Sequence, residues 1–229
     1  MNDLLASPVF GVGVTLGVYS LAQLLYQRNR VILLNPVAVS VVVLIVLLVS
    51  CEIPYSSYRA GGDLILFLLG PAVVALGLPL YEQRSEILKR KLPILLGVLA
   101  GALASIVSAS GLAWLLGGSR PVVLSLAPKS VTTPIAIGIA EKIGGVAPLT
   151  AALVVVTGCF GAICGPEFCR WVGIRSSVAR GLAVGTASHG IGTARMLEID
   201  RLGGATSGLA IGLNGLITAF ILPLLMLLF

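Results

Sequence analysis

Ala127-Pro128-Lys129-Ser130-Val131-Thr132-Thr133-Pro134 interrupts a stretch, residues 121–145, that is otherwise apolar. Two prolines six residues apart remove backbone donors and clash with the preceding turn, so no continuous helix runs through them. The lysine between them is just as costly, because a charge at the bilayer centre costs about 2.5–3.5 kcal/mol on insertion scales. Whether this is a surface loop or a broken membrane segment depends on its surroundings.

The surroundings are membrane spans. The chain has 229 residues, 57% hydrophobic and 10% charged, with a mean hydropathy of +1.07. Soluble domains run about 45–50% apolar and about 25% charged. The surplus apolar surface needs lipid as its solvent. A spanning helix takes roughly 20 residues, so the length allows about six to eight crossings.

Upstream of the break lie four conventional spans, about residues 4–26, 33–50, 63–81 and 92–116. Pro93 sits where a first-turn proline is tolerated. Gly97 and Gly101 form a GxxxG step that lets another element approach closely. Downstream lies a clean span, about 147–165, with a second such step at Gly161 and Gly165. A second interrupted segment, 181–204, follows, and its middle reads Gly-Thr-Ala-Ser-His-Gly-Ile-Gly-Thr-Ala-Arg from Gly185 to Arg195. The chain ends in an apolar run, 209–229. The expectation is a single membrane domain over 1–229: four N-terminal helices in 1–116, then two broken segments in 117–229, each followed by a span. It is an all-α polytopic architecture of about six full transmembrane helices plus two broken or re-entrant segments.

The net charge of +6 does not indicate nucleic acid, because the basic residues fall in short clusters between apolar runs. Arg28 and Arg30, Arg84 with Lys89, Arg90 and Lys91, and Arg170 with Arg175 and Arg180 look like cytoplasmic loops under the positive-inside rule. Cys51, Cys159, Cys164 and Cys169 lack a CxxC spacing and a second ligand cluster, so they read as small packing residues. Neither a metal nor a cofactor is expected. Asp3 precedes the first apolar run, which therefore reads as a first span and not as a signal peptide. Gly11, Gly13 and Gly17 do not fit a nucleotide-binding spacing.

The two interrupted segments resemble each other. Glu141-Lys142-Ile143-Gly144-Gly145 matches Asp200-Arg201-Leu202-Gly203-Gly204 in residue class. A Ser/Thr-rich break lies upstream of both. The following span carries Thr157-Gly158 in one copy and Asn214-Gly215 in the other, with a proline eight residues later at Pro166 and Pro223. Placing the loops of Arg28–Arg30 and Arg84–Lys91 in the cytoplasm decides the orientation. If 121–145 dips in and returns, the loop with Arg170, Arg175 and Arg180 also falls in the cytoplasm. The two breaks then approach the midplane from opposite faces, as an inverted repeat.

Paired broken segments point to a transporter's binding site. Lys129 is the sharpest residue in them: with no acid in its own break it calls for an anionic ligand, unless it snorkels to an interface. Ser130, Thr132 and Thr133 offer hydroxyls to a ligand or to the broken backbone. Arg195 suits a bidentate carboxylate contact, or pairs with Glu198 or Asp200 at the cytoplasmic edge. Ser188 and His189 are neighbours, and neighbours on a helix point about 100° apart, so they do not make a nucleophile–base pair. No catalytic residue is expected. His189 suits hydrogen bonding in the site or proton coupling. Gly190 and Gly192 allow close backbone approach and positive φ, and Thr193 belongs to the same stretch. Asn35 and Asn214 read equally as helix-interface glue or ligands, Glu82 and Gln83 as interfacial, and Glu167 as a cytoplasmic-edge residue following its span.

Pro128-Lys129-Ser130-Val131-Thr132-Thr133-Pro134-Ile135-Ala136, Gly185-Thr186-Ala187-Ser188-His189, Gly192-Thr193-Ala194-Arg195 and Pro79-Leu80-Tyr81-Glu82-Gln83 together resemble the LrgB/CidB family, over essentially the whole chain. That family includes YohK-like proteins and the membrane domain of the plant plastid glycolate/glycerate translocator. The resemblance implies a multi-pass protein of the bacterial inner membrane, often with a small LrgA/CidA-type membrane partner. It also implies one of two activities. One is a secondary transporter of small monocarboxylates such as glycolate, glycerate or pyruvate; because the breaks face opposite sides, an elevator-like carrier is expected by analogy with hairpin-bearing carriers, and a homodimer is expected as well. The other is a holin/antiholin-like protein regulating murein hydrolase export and lysis. A pore subunit has no need of an intramembrane lysine between prolines, so the residues favour the carrier. The substrate-binding set is then Lys129, Ser130, Thr132, Thr133, Ser188, His189, Gly190, Thr193 and Arg195.

Overall fold

A computed structural model of the chain describes residues 7–29 and 34–226. Asp3, Arg30, the starts of the first two expected spans and residues 227–229 fall outside the described residues. Among those described there is no strand, and the chain is an all-α polytopic membrane protein. Among the described residues, five helical stretches are long and apolar enough to cross a membrane, and Pro36–Ser50 is a shorter apolar helix. Large apolar side chains such as Leu92, Val107, Val156, Phe160 and Phe220 point outward, while Ser, Thr, Gly and Ala fill much of the interior. Lipid is as apolar as leucine, so helices in it associate through small residues and hydrogen bonds.

The chain forms two compact units that divide after Gly77. The first contains α1 (Pro8–Asn29), α2 (Pro36–Ser50), α3 (Tyr55–Phe67) and α4 (Leu69–Ala75). Helices α1 and α3 cross where Gly11 meets Gly61, and a Cβ on Gly11 would stand 2.9 Å from Gly61 Cα. Beside the crossing, Thr15 Oγ1 donates to Gly11 O at 2.7 Å and pairs with the Tyr58 hydroxyl at 2.9 Å. Asn35 is the cap of α2: its Oδ1 accepts from the N–H groups of Val37 and Ala38 at 3.1 and 3.2 Å, with Pro36 in the first turn. Helix α3 begins at Tyr55, well before the apolar run expected at residue 63. Its polar first turns carry an Arg59–Asp63 pair at i,i+4, a spacing that stabilises a helix without an apolar face.

The second unit continues through α5 (Gly77–Glu82), α6 (Arg84–Leu88), α7 (Lys91–Leu115), α8 (Arg120–Leu126), α9 (Thr133–Ile143), α10 (Ala147–Trp171), α11 (Ser177–Ile199) and α12 (Arg201–Met226). Helix α7 matches its expected span. It stops where Gly117 takes φ 80° and Gly118 N–H bonds back to Ala113 O. Helix α10 runs six residues past the expected end, because Pro166 lies inside it and does not terminate it. Glu167 is consequently helical and pairs with Arg170 at 2.9 Å. Helix α12 starts at Arg201, earlier than expected, since Asp200 Oδ1 and Oδ2 accept from the N–H groups of Leu202 and Gly203.

The two interrupted segments are both helical hairpins. After α8 the chain passes through two turns over residues 127–132 and comes back along α9. Gly144 ends α9 at φ 88°, and Val146 N–H then donates to Ser125 Oγ of α8 at 2.8 Å. Eleven helical residues cover about 16 Å, so α9 reaches Ser125 only by turning back. Helix α11 is likewise two arms, joined at His189, whose φ of 42° and ψ of −136° are not helical. Gly192 lies against Val184, and Gly203 lies against Ser177. A straight helix would hold those partners more than a turn or two apart.

The hairpins enter from opposite ends. Arg120 follows the C-terminal end of α7, whereas Val178, near the start of α11, packs with Ile94 at its N-terminal end. Between them, α10 carries the chain from one end to the other, and α12 carries it back. Gly165 of α10 faces Val184 and Gly161 faces Ser188, so α10 is antiparallel to the first arm of α11. The hairpin-plus-span unit is thus repeated with inverted topology.

Candidate functional site

The two tips meet at mid-height of the unit. Ser105 on α7, Gly158 and Gly161 on α10, and Asn214 on α12 all lie near the middle of their helices, and all touch a tip. On the first tip, Lys129 Nζ donates to Ser105 Oγ at 3.3 Å and to Ser130 Oγ at 3.2 Å, and the two hydroxyls stand 2.6 Å apart. Among the described residues no carboxylate pairs with this ammonium. It is half-buried, its hydration replaced by two neutral hydroxyls, and an ammonium has three protons to place. Thr132 occupies the cap position of α9 with no capping bond from its side chain, and Thr133 and Pro134 form the first helical turn. The amino end of α9 therefore points toward the same mid-height region as Lys129, with its partial positive charge.

On the second tip, Ser188 and His189 are buried and Gly190 is exposed. His189 Nε2 lies 3.0 Å from Val154 O of α10. A carbonyl only accepts, so this nitrogen carries a proton and donates. The ring thus turns to α10, and Ser188 packs into the space left by Gly161. The positive φ belongs to His189 itself and not to Gly190 or Gly192. Gly192 is needed for space, since a Cβ there would stand 2.6 Å from Ser188 Cβ. Thr193 Oγ1 donates to His189 O at 2.9 Å and lies 2.7 Å from Ser207 Oγ, which ties the return arm to α12. Arg195 sits toward the base of that arm, paired with Glu198 at 3.0 Å, and is not brought to the tips.

Asn214 joins the hairpins. Its Nδ2 donates to Ser130 O of the first tip at 3.1 Å and to Thr186 O of the second hairpin at 3.0 Å. Its Oδ1 accepts from Thr218 Oγ1 at 3.3 Å. Each span that follows a hairpin thus contacts the tip of the other: α10 through Val154 and Gly158, α12 through Asn214. Sequence reasoning left Asn214 undecided and did not single out Ser105 or Ser207. Ser105 carried a signal, because Gly97, Gly101 and Ser105 are spaced by four and form one stripe of small residues on α7.

The charges outside the spans are asymmetric. Lys89, Arg90, Lys91, Arg170, Arg175, Arg180 and Arg201 gather at the end of the unit where α7 begins, against Arg120 and Lys142 at the other. Glu86 accepts from Lys89 and Arg90 at 2.7 Å each, and those bonds hold its carboxyl below the ordinary carboxylate range.

Opposed helical hairpins meeting at the centre of a helical unit define a polytopic membrane protein. The family model described as LrgB-like family matches residues 15–228, and the chain belongs to that family. It is 39% identical over 216 residues to the uncharacterized protein YxaC of Bacillus subtilis (strain 168), covering 94% of each chain. It is 33% identical over 229 residues to a protein of Staphylococcus epidermidis named holin-like protein CidB, covering the whole of both. A Haemophilus influenzae relative is 35% identical over 210 residues, 92% of this chain and 91% of its own. No solved structure matches.

Proposed function

We propose that the protein is a secondary carrier of small organic anions, monocarboxylates such as glycolate, glycerate or pyruvate, in the bacterial inner membrane, and that it is not an enzyme. One observation carries this reading: Lys129, held by hydroxyls and facing no carboxylate among the described residues, stands where two hairpins from opposite ends meet. A cation in that position favours an anionic guest, and intramembrane charge marks a substrate pathway more often than a structural feature. The inverted pair of hairpins supplies a unit whose movement would expose the site alternately to each side. A homodimer, and a small LrgA/CidA-type partner, belong to the same proposal.

A second reading, a holin/antiholin-like regulator of murein hydrolase export, is favoured by the whole-length similarity to the protein named holin-like protein CidB. The relatives' names bear on this reading and not on any substrate. Uptake of labelled glycolate, glycerate and pyruvate into proteoliposomes separates the two. Saturable uptake of at least one acid, falling to the level of empty liposomes in Lys129→Ala, is the expected result. Leak of unrelated solutes that ignores the substitution would instead support the holin-like reading.

A further inference from the structure

A cavity of about 590 Å3 runs between α7 and the first arm of α11. Its outer end is lined by Arg90 and Ser176, and its inner end by Gly101, Ser105, Thr186 and Ala187. The depth follows from sequence separation. From Arg90 to Ser105 is fifteen residues, about 22 Å along a helix, so the cavity spans half the unit and stops at mid-height. On α7, Gly97 borders the open space and Gly101 marks where the two helices close on each other. A Cβ on Gly97 would meet nothing within 4 Å, and one on Gly101 would press on the Thr186 methyl.

The inner end is polar in a way the fold itself does not require. Thr186 is 5% exposed, and its Oγ1 is buried without a hydrogen-bond partner among the described residues. A buried hydroxyl left unsatisfied is unfavourable, so it reads as a group awaiting a partner. The second hydroxyl there, Ser105 Oγ, is in contact with Lys129 Nζ. The cavity therefore ends one hydroxyl away from the ammonium. At its mouth, Lys89, Arg90 and Lys91 stand against Glu86, a local excess of positive charge that draws anions.

We propose that this cavity is the path by which a small anion reaches Lys129 from the Arg90 end, and that Thr186 and Ser105 form its inner binding step. The inference rests on the carrier reading and adds to it the side from which the site is reached in this conformation. It also adds Thr186, whose unpartnered hydroxyl, buried beside its cavity-lining methyl, would reach the anion by rotation of the side chain. The walls between mouth and inner end are Pro93, Ile94, Val178, Leu182 and Ala183, so the guest travels with its apolar part against them.

The test has two arms that fail separately. In a chain whose four native cysteines are replaced by alanine, a single cysteine is placed at Ala183 or Ala187, or at outward-facing Phe160 as a lipid-side control. A membrane-impermeant thiol reagent added on the Arg90 side is expected to label the first two and not the third. Absence of labelling at both alanine positions, or equal labelling at Phe160, overturns the path whether or not the protein transports anything. In the second arm, glycolate, glycerate and pyruvate uptake is measured for Thr186→Val and Thr186→Ser. Loss of a hydrogen bond to a charged group corresponds to about a tenfold rise in KM for Thr186→Val, with Thr186→Ser near wild type. Wild-type KM in Thr186→Val removes the binding step. Wild-type protein that transports none of the three acids counts against the carrier reading and, with it, the binding step, while the labelling still decides whether the cavity is a water-filled path.

Discussion

His189 holds a backbone conformation, φ 42° and ψ −136°, that suits glycine and costs other residues about 1–3 kcal/mol. It keeps that conformation because burial, the bond to Val154 O and the Thr193 bond to its own carbonyl fix it on all sides. Two effects therefore oppose each other in any substitution. His189→Gly relieves the strain and loses the ring contact; His189→Ala loses the contact and keeps the strain. The alanine variant should unfold at a lower temperature than the glycine variant in detergent, by the equivalent of about 1 kcal/mol. The reverse order would mean that the ring, and not the backbone, sets the energetics of the tip. Strain of this kind collects at functional sites, and the identity of the residue that bears it was not legible beforehand. With Gly190 and Gly192 at hand, local propensity assigns positive φ to a glycine. The packing of Ser188 into Gly161 and of Gly192 against Val184 moves it to the histidine.

At the scale of elements, the hairpins are coupled through one side chain. Asn214 is 1% exposed and satisfies two carbonyls, Ser130 O and Thr186 O, that tip geometry leaves outside helical bonding or close to its end. Asn214→Leu removes both donors and buries the carbonyls without partners, at about 1–3 kcal/mol each. Asn214→Asp should be at least as damaging, because it sets a carboxylate against two carbonyl oxygens. Thermal unfolding followed by size-exclusion chromatography is expected to rank wild type well above both. A wild-type profile in Asn214→Leu would show the hairpins are held by apolar packing alone. The hairpins themselves were legible as breaks, the first because two prolines six residues apart have no place in a continuous helix and the second from its Gly-, Ser- and Thr-rich middle. Their return was legible only through charge placement, since half-crossing and hairpin share one hydropathy profile. The repeat was visible in Glu141–Gly145 and Asp200–Gly204, but its consequence was not. That each span docks on the other copy's tip depends on contacts between residues 84 positions apart, such as Asn214 and Ser130.

At the scale of the second unit, the inverted repeat and the charge asymmetry make one joint statement about sidedness. Seven Lys and Arg residues named above lie at the end where α7 begins, and Arg120 and Lys142 at the other. The positive-inside rule predicts that the first end is cytoplasmic, which would bring the second hairpin in from the cytoplasm and the first from outside. Glu141, at the close of the first hairpin, and Arg175, before the second, are both exposed and outside the long helices, which makes them clean reporters. In a cysteine-free background, Glu141→Cys should react with an impermeant thiol reagent only from outside the cell, and Arg175→Cys only in inverted vesicles. The two residues are separated by α10 alone, a 25-residue helix of mean hydropathy 2.0 over its apolar window. A helix of that length covers about 37 Å, more than the roughly 30 Å hydrocarbon core, so both ends cannot share a face if it spans. Labelling of both cysteines from one side would mean that α10 does not cross. The two hairpins would then enter from the same face, and the alternating exposure that the carrier reading requires would have no structural basis.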